Sequence, residues 1–277
     1  MSAEPVSFAA RYGPWALVAG GSEGIGLAFA HRIAAAGVSV ALVARRAETL
    51  DAAARELRAV ASAAHRDVEV RTLALDLTAD DALARIRAGT DDLDVGLLVY
   101  NAGATHGVAR FHDAPVERAL SLVALDCIGP VRLAHHFGAR MRERRRGGIV
   151  LLSSVSGTVG SALTAAYSAC KAFDLVLAEG LWAELRPFGV DVLGLVAGAT
   201  RTPAMERSGA LIGTDSLPGM DADDVAREGL ERLPHGPSWV AGEANRTSFD
   251  MLRGLPRKAA VKALSAGARA VYGLEEE

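Results

Sequence analysis

The stretch "SSVSGTVGSALTAAYSACKAFDLVLAEGL" holds three residues whose types and spacing suit proton chemistry. Tyr167 and Lys171 stand four apart, so a helix puts them on one face. A free phenol, with a pKa of about 10, is a poor acid–base catalyst at neutral pH. An ammonium beside it stabilises the phenolate and lowers that value. Ser154 lies thirteen residues before Tyr167, just past the end of an apolar run. Its hydroxyl is placed to hold a substrate oxygen beside the phenol.

A second group of residues has the form of a phosphate cradle. In "ALVAGGSEGIGLAFAHRIAAAG" four glycines, Gly20, Gly21, Gly24 and Gly26, stand between an apolar run and a helical pattern. Such a turn lets the backbone approach a pyrophosphate resting on amides at a helix N-terminus. The spacing from Gly20 is G-x-x-x-G-x-G rather than G-x-G-x-x-G. The end of the next apolar run reports on the ribose. A site for NAD usually carries an acid there. Here "VARRAETL" offers Arg45 and Arg46, with no acid until Glu48. A guanidinium holds a 2′-phosphate by paired hydrogen bonds, so NADP(H) is expected over NAD(H). Glu23, inside the glycine turn, would partly oppose a second phosphate.

These groups need a scaffold. Short aliphatic runs, Trp15–Gly20, Val38–Ala44, Val68–Leu75, Val95–Tyr100, Gly148–Ser153 and Val190–Val196, read as strands. Runs without polar alternation mean burial on both faces, as in a parallel sheet. Helical patterns lie between them: Gly24–Ala36, Glu48–Ala61, Asp81–Ala88, Pro115–Arg144 and Ala165–Leu185. The alternation predicts a single α/β domain over 1–277, a Rossmann-like doubly wound parallel sheet flanked by helices. Ligands of such sheets sit at the carboxyl ends of the strands, which is where the reactive residues fall. The segment 201–232, rich in Gly, Pro, Met and Asp, reads as a loop with short helices, and a lid is expected over about 199–235. "SWVAG" (Ser238–Gly242) reads as a short edge strand, and a helical extension is expected over about 243–277, with an amphipathic helix at Pro256–Gly273.

Composition excludes several classes. Half of the 277 residues are hydrophobic, the net charge is −3 and the basic residues are scattered, so no nucleic-acid partner is expected. Two cysteines, Cys127 and Cys170, are too few for a disulfide framework or a metal cluster, and packing is their default role. No apolar run approaches a membrane span, and the N-terminus lacks the pattern of a signal peptide. The chain reads as soluble and cytoplasmic.

The ordered motifs resemble the classical short-chain dehydrogenase/reductase family from about Trp15 to Thr202, and more loosely to Gly242. "AGGSEGIG" (Ala19–Gly26) is similar to the family's T-G-x-x-x-G-I-G, "LDLT" (Leu75–Thr78) to its acid-containing turn, "NAG" (Asn101–Gly103) to the turn after its fourth strand, and "VAGATRTP" (Val196–Pro203) to its P-G-x-x-x-T segment. The resemblance implies hydride transfer between NADP(H) and a ketone or secondary alcohol. Tyr167 is then the general acid or base, Lys171 lowers its pKa and holds the nicotinamide ribose, and Ser154 orients the carbonyl. The implied cofactor contacts are Gly20, Gly21, Ser22, Glu23, Gly24, Ile25, Gly26, Arg45, Arg46, Asp76 (at the adenine), Leu77, Asn101, Ala102, Gly103, Tyr167, Lys171, Gly198, Thr200 and Thr202. A homodimer or homotetramer built on the two long helices is implied as well. Apolar lid residues Ala210, Leu211, Ile212, Leu217 and Met220 hint at a hydrophobic carbonyl substrate. Met205 and Met220 either shape that pocket or fill the core, and His106 is a loop residue near its mouth. The alternatives are an NADP(H)-binding protein without turnover, or an epimerase or dehydratase variant.

Three positions depart from the family pattern. Ala19 replaces its Thr, and Ala197 replaces the Pro before Gly198. In "SLVALDCIGPVRL", Asp126 takes the seat of an Asn that, in the family, supports a water linking the lysine to solvent. Asp126 either attracts Lys171, directly or through water, as a charged relay member, or disables the relay. The first account is favoured because Ser154, Tyr167 and Lys171 are all retained.

Overall fold

The computed structural model describes residues 6–103, 108–214 and 217–274. In chain order its elements are α1 (Phe8–Tyr12), β1 (Trp15–Ala19), α2 (Gly24–Ala35), β2 (Ser39–Ala44), α3 (Ala47–Ala63), β3 (Val70–Ala74), α4 (Ala82–Thr90), β4 (Val95–Tyr100), α5 (Val116–Val123), α6 (Gly129–Glu143), β5 (Gly147–Ser154), α7 (Ala165–Leu185) and β6 (Val190–Ala197). Then come β7 (Thr200–Arg201), α8 (Pro203–Arg207), β8 (Met220–Asp221), α9 (Ala222–Arg232), β9 (Ser238–Val240), α10 (Glu243–Gly254) and α11 (Arg257–Val271). The main sheet has seven strands in the order β3-β2-β1-β4-β5-β6-β9, and every pairing is parallel. The winding reverses between β1 and β4, which opens a crevice at their carboxyl ends.

The unbroken apolar runs follow from burial on both faces. Along β1, Ala16 and Val18 join one core with Phe29 and Ile33 of α2, while Leu17 and Ala19 join another with Phe137 and Met141 of α6. Alternate side chains thus enter opposite cores. The expected segment "SWVAG" supplies the seventh strand, β9, at the edge beside β6.

The expected helix over Pro115–Arg144 is not regular. Between α5 and α6, residues Ala124–Ile128 form a π turn, closed by the Gly129 N–H donating to the Ala124 carbonyl. Pro130 supplies a reason. It has no N–H, so the carbonyl of Asp126 in a regular helix, or of Leu125 in a π turn, is left without its helical donor. The buried Tyr100 hydroxyl at the end of β4 donates to the Leu125 carbonyl at 2.6 Å. Gly129 makes that approach feasible, because a Cβ there would stand 2.0 Å from the Tyr100 hydroxyl. Asp126 lies at the centre of the turn and is fully buried.

The expected lid is only partly a loop. β7 pairs with β8, α8 is a single short helix, and the eleven-residue α9 packs into the core, where Val225 and Ala226 meet Phe29. Met220 also packs against that core. The C-terminal helices cover the turn after β5: Leu252 and Ala260 bury Val159, and Ser265 Oγ accepts from the Ala162 N–H at 2.9 Å. The Leu211 N–H donates to the Val271 carbonyl at 2.7 Å, tying the lid to the end of α11. Among the described residues no helix is long and apolar enough to cross a membrane.

Replacing Tyr100 by Phe leaves the part-buried Leu125 carbonyl without that donor. The expected loss of stability is about 1–3 kcal/mol, read from the midpoint of urea unfolding.

Candidate active site

Ser154 ends β5 and opens a 3-10 turn, Val155–Gly157, where its Oγ accepts from the Ser156 N–H at 3.2 Å. That turn lies directly on α7. A Cβ on Gly157 would stand 2.7 Å from the Lys171 carbonyl carbon, so glycine sets how closely β5 and α7 approach. Ser153 Oγ donates to the Lys171 carbonyl and fastens the same contact. The result places Ser154 beside Tyr167, two residues into α7. Lys171 Nζ lies 6.0 Å from the Tyr167 ring centroid, on the same helix face.

Lys171 is buried, 5% exposed. Its Nζ meets Asp126 Oδ1 at 2.7 Å, Asp174 Oδ2 at 3.0 Å and the Leu152 carbonyl at 3.0 Å. Asp126 therefore contacts the ammonium directly. Gly103, at the end of β4, closes over the pair: a Cβ there would stand 2.7 Å from Asp126 Oδ1 and 3.2 Å from Nζ. Burial alone would lower the Lys171 pKa, but Asp126 and Asp174 outweigh it and hold the ammonium charged well above its ordinary range. For Tyr167 burial is the larger effect, so its pKa lies above the ordinary phenol value although Lys171 pulls it down. At neutral pH the phenol is protonated.

Asp174 was missed by sequence reading. A signal existed, since Tyr167, Lys171 and Asp174 follow the i, i+4, i+7 spacing of one helix face. Burial and the nearby Asp126 push its carboxyl up to about 6, against the pull of Lys171.

The cofactor candidates cluster beside this site. Asn101 Nδ2 donates to the Gly20 carbonyl at 2.9 Å and pins the end of β4 to the glycine turn. Gly26 must be glycine, because a Cβ would stand 2.1 Å from the Gly20 carbonyl oxygen. Gly24 takes a positive φ of 58° and packs against the Thr202 methyl, while Thr202 caps α8. No side chain caps the start of α2, which leaves its first amides open to an anion. Glu23 pairs with Arg46 at 2.8 Å and with Arg207 of α8. Burial opposes its ionisation, but the two guanidiniums prevail and hold its pKa below the ordinary value. The repulsion expected from Glu23 is thus largely neutralised. Arg45 is exposed and has no ion pair among the described residues. Asp76 is exposed and accepts from the Thr78 N–H and hydroxyl, at 2.9 and 2.7 Å. Thr200 Oγ1 donates to the Gly198 carbonyl at 3.0 Å.

Other candidates are not drawn in. Cys127 and Cys170 interact with each other, and burial pushes the Cys170 thiol up to about 12. Met220 faces the core rather than a pocket. His106 lies outside the described residues. No cluster of His, Cys, Asp and Glu among the described residues suits a metal.

The chain belongs to the short-chain dehydrogenase family, whose profile matches residues 14–210. A 7β-hydroxysteroid dehydrogenase of Clostridium sardiniense is 32% identical over 243 residues, covering 87% of this chain and 90% of that protein. A very-long-chain 3-oxoacyl-CoA reductase of Aspergillus clavatus is 35% identical over 206 residues, covering 72% of this chain and 58% of that protein. Among solved structures, one concerned with 7β-hydroxysteroid dehydrogenase stereoselectivity superposes with a TM-score of 0.83 at 27% identity, covering 93% of this chain and 99% of that one. A short-chain dehydrogenase from Sphingobium yanoikuyae in complex with NADPH gives 0.73 at 30% identity, covering 95% and 97%. The chain is accordingly an oxidoreductase of the alcohol–ketone type.

Asp174 generates a stability prediction. Its folded pKa lies above the unfolded one, so its favourable share of stability is complete below the unfolded value and is lost as pH rises through about 6. Asp174→Asn removes that loss. Between pH 5 and pH 8 its melting temperature should gain on that of the wild type, by an amount equivalent to on the order of 2 kcal/mol.

Proposed function

We propose that the protein is an NADP(H)-dependent oxidoreductase that reduces a hydrophobic ketone, or oxidises the matching secondary alcohol, with Ser154, Tyr167 and Lys171 as its reacting centre. The observation that carries this reading is the contact of Ser154 with Tyr167 on the helix face that bears the Lys171 ammonium, beside the glycine turn at the carboxyl ends of β1 and β4. The glycine turn and the open amides of α2 fit a pyrophosphate. Arg45, exposed after β2 with no acid following in the chain until Glu48, fits a 2′-phosphate. The bound nicotinamide supplies or accepts the hydride.

This chain's residues handle the proton. Ser154 holds the substrate oxygen beside the phenol. Tyr167, protonated at neutral pH, gives its proton to that oxygen as a carbonyl is reduced, and takes it back in the reverse direction. Lys171 stabilises the phenolate left behind, and Asp126 keeps the ammonium charged. A cleft runs from Tyr167 between α5 and the start of α7, its lining mostly apolar, with Phe111, Pro115, Leu122 and Leu163, but including Arg110 and Arg118. That lining favours an apolar substrate.

A homodimer or homotetramer belongs to the same proposal. Val116, Leu120, Ile128 and Val131 on the α5–α6 side, with Phe173 and Val176 on α7, are exposed apolar residues on the two long helical runs. A cytoplasmic, soluble protein acting on a small molecule, without a nucleic-acid partner, fits the composition.

A screen of apolar ketones with NADPH and NADH, followed at the nicotinamide absorbance, tests the reading. Tyr167→Phe should lower kcat by about 100-fold or more while NADPH still binds. Turnover of no ketone by a wild type that binds NADPH tightly would favour the reading as a binding protein. Arg45→Ala should raise the KM for NADPH about tenfold and leave that for NADH unchanged, the loss of one charge-assisted contact.

A further inference from the structure

Lys171 faces two carboxylates as well as a backbone carbonyl. An ammonium carries three N–H donors. Three protein oxygens lie within reach of Nζ, from Asp126 at 2.7 Å, Asp174 at 3.0 Å and the Leu152 carbonyl at 3.0 Å. The Leu152 carbonyl and Asp174 take hydrogen bonds from Nζ, while Asp126 faces it as an ion pair without one. Two carboxylates also face one ammonium, and both are 1% exposed or less, so water does not dilute their charge. Tyr167 therefore feels a cation that the carboxylates partly offset. Asp126 belongs to the π turn, whereas Asp174 rides on α7, one turn from Lys171.

We propose that Asp174 is a positioning residue for Lys171: its charge draws the ammonium back along α7 and offsets its field, and neutralising that charge strengthens the pull of Lys171 on a ligand hydroxyl and on the Tyr167 phenol. The proposal rests on the reading of Tyr167 and Lys171 as the reacting pair. Geometry supplies its core, since the bond from Lys171 to Asp174 lies within one helix and does not depend on how the sheet and the π turn are placed. Titration supports it. The carboxyl of Asp174 sits at about 6, so it is ionised at pH 8 and protonated at pH 5. The other groups facing the cluster are Asp126 and Cys127 on the π turn, Tyr100 on β4, and Tyr167 and Cys170 on α7. Tyr100, Tyr167 and both thiols are held above their ordinary values and stay protonated in that interval.

The first experiment follows Tyr167 ionisation in the ligand-free full chain by its phenolate difference spectrum, with Tyr167→Phe as the blank. In Asp174→Asn the midpoint should fall by about one pH unit. An unchanged midpoint in a folded variant overturns the proposal, because a merely structural acid would leave the phenol where it was. The second measures NADH binding by nicotinamide fluorescence; NADH has no 2′-phosphate to titrate. Wild-type affinity should tighten about tenfold from pH 8 to pH 5, as one charge-assisted hydrogen bond from an ammonium no longer offset by Asp174 grows stronger. Asp174→Asn should hold the tight value throughout. A flat wild-type curve, or a variant that follows the wild type, overturns the proposal. Should Asp174→Asn fail to fold, the wild-type curve alone decides. If NADH binds to neither protein, the cofactor reading fails, and the phenol titration still decides the role of Asp174.

Discussion

A buried ammonium needs partners, and around the one at Lys171 much of the local architecture is arranged. Its three acceptors come from three places: the Leu152 carbonyl from β5, Asp174 from α7 itself, and Asp126 from the π turn. Removing a lone charge from water costs several kcal/mol or more, so the three must be in position together. The β5–α7 approach is set by Gly157 and Ser153, the π turn by Pro130 and Tyr100, and the closing loop by Gly103. Each is a backbone or packing condition on which the ammonium's three partners depend.

The electrostatics of this cluster run in two directions. Asp126 and Asp174 secure the charge on Lys171 against desolvation. The same charges weaken what that ammonium can do for the Tyr167 phenol, whose pKa stays above its ordinary value because burial outweighs the lysine. A site balanced this way holds its acid protonated at neutral pH, which suits a proton donor to a developing alkoxide. At the glycine turn a similar balance holds at Glu23, an acid that is offset by Arg46 and Arg207. The Arg207 pair also ties the lid helix α8 to the glycine turn.

Much of the scaffold could be read from the chain. Runs such as "VGLLVY" and "VDVLGLV" have too few polar residues for a half-exposed strand, so they forced a sheet buried on both faces, and β4 spans Val95–Tyr100 as expected. The helix Ala165–Leu185 also fell where its pattern put it, with Tyr167 and Lys171 on one face. Less legible were α9, an eleven-residue helix packed on α2 within a segment read as a loop with short helices, and Asp174, which sequence analysis did not single out.

Sequence by itself determined the parallel sheet, the glycine turn, the family and the presence of Ser154, Tyr167, Lys171 and Asp126, because periodicity and local spacing are properties of neighbouring residues. Only the tertiary structure decided that Asp126 touches Lys171 directly, that Asp174 joins it, and that Glu23 is neutralised from α8. The physical reason is that such contacts depend on where separate elements meet. The missing N–H of Pro130 widens one turn, and a hydroxyl from β4 takes up the carbonyl left open. Burial then turns ordinary carboxylates into partners for a single ammonium, and burial is fixed only when the elements have packed.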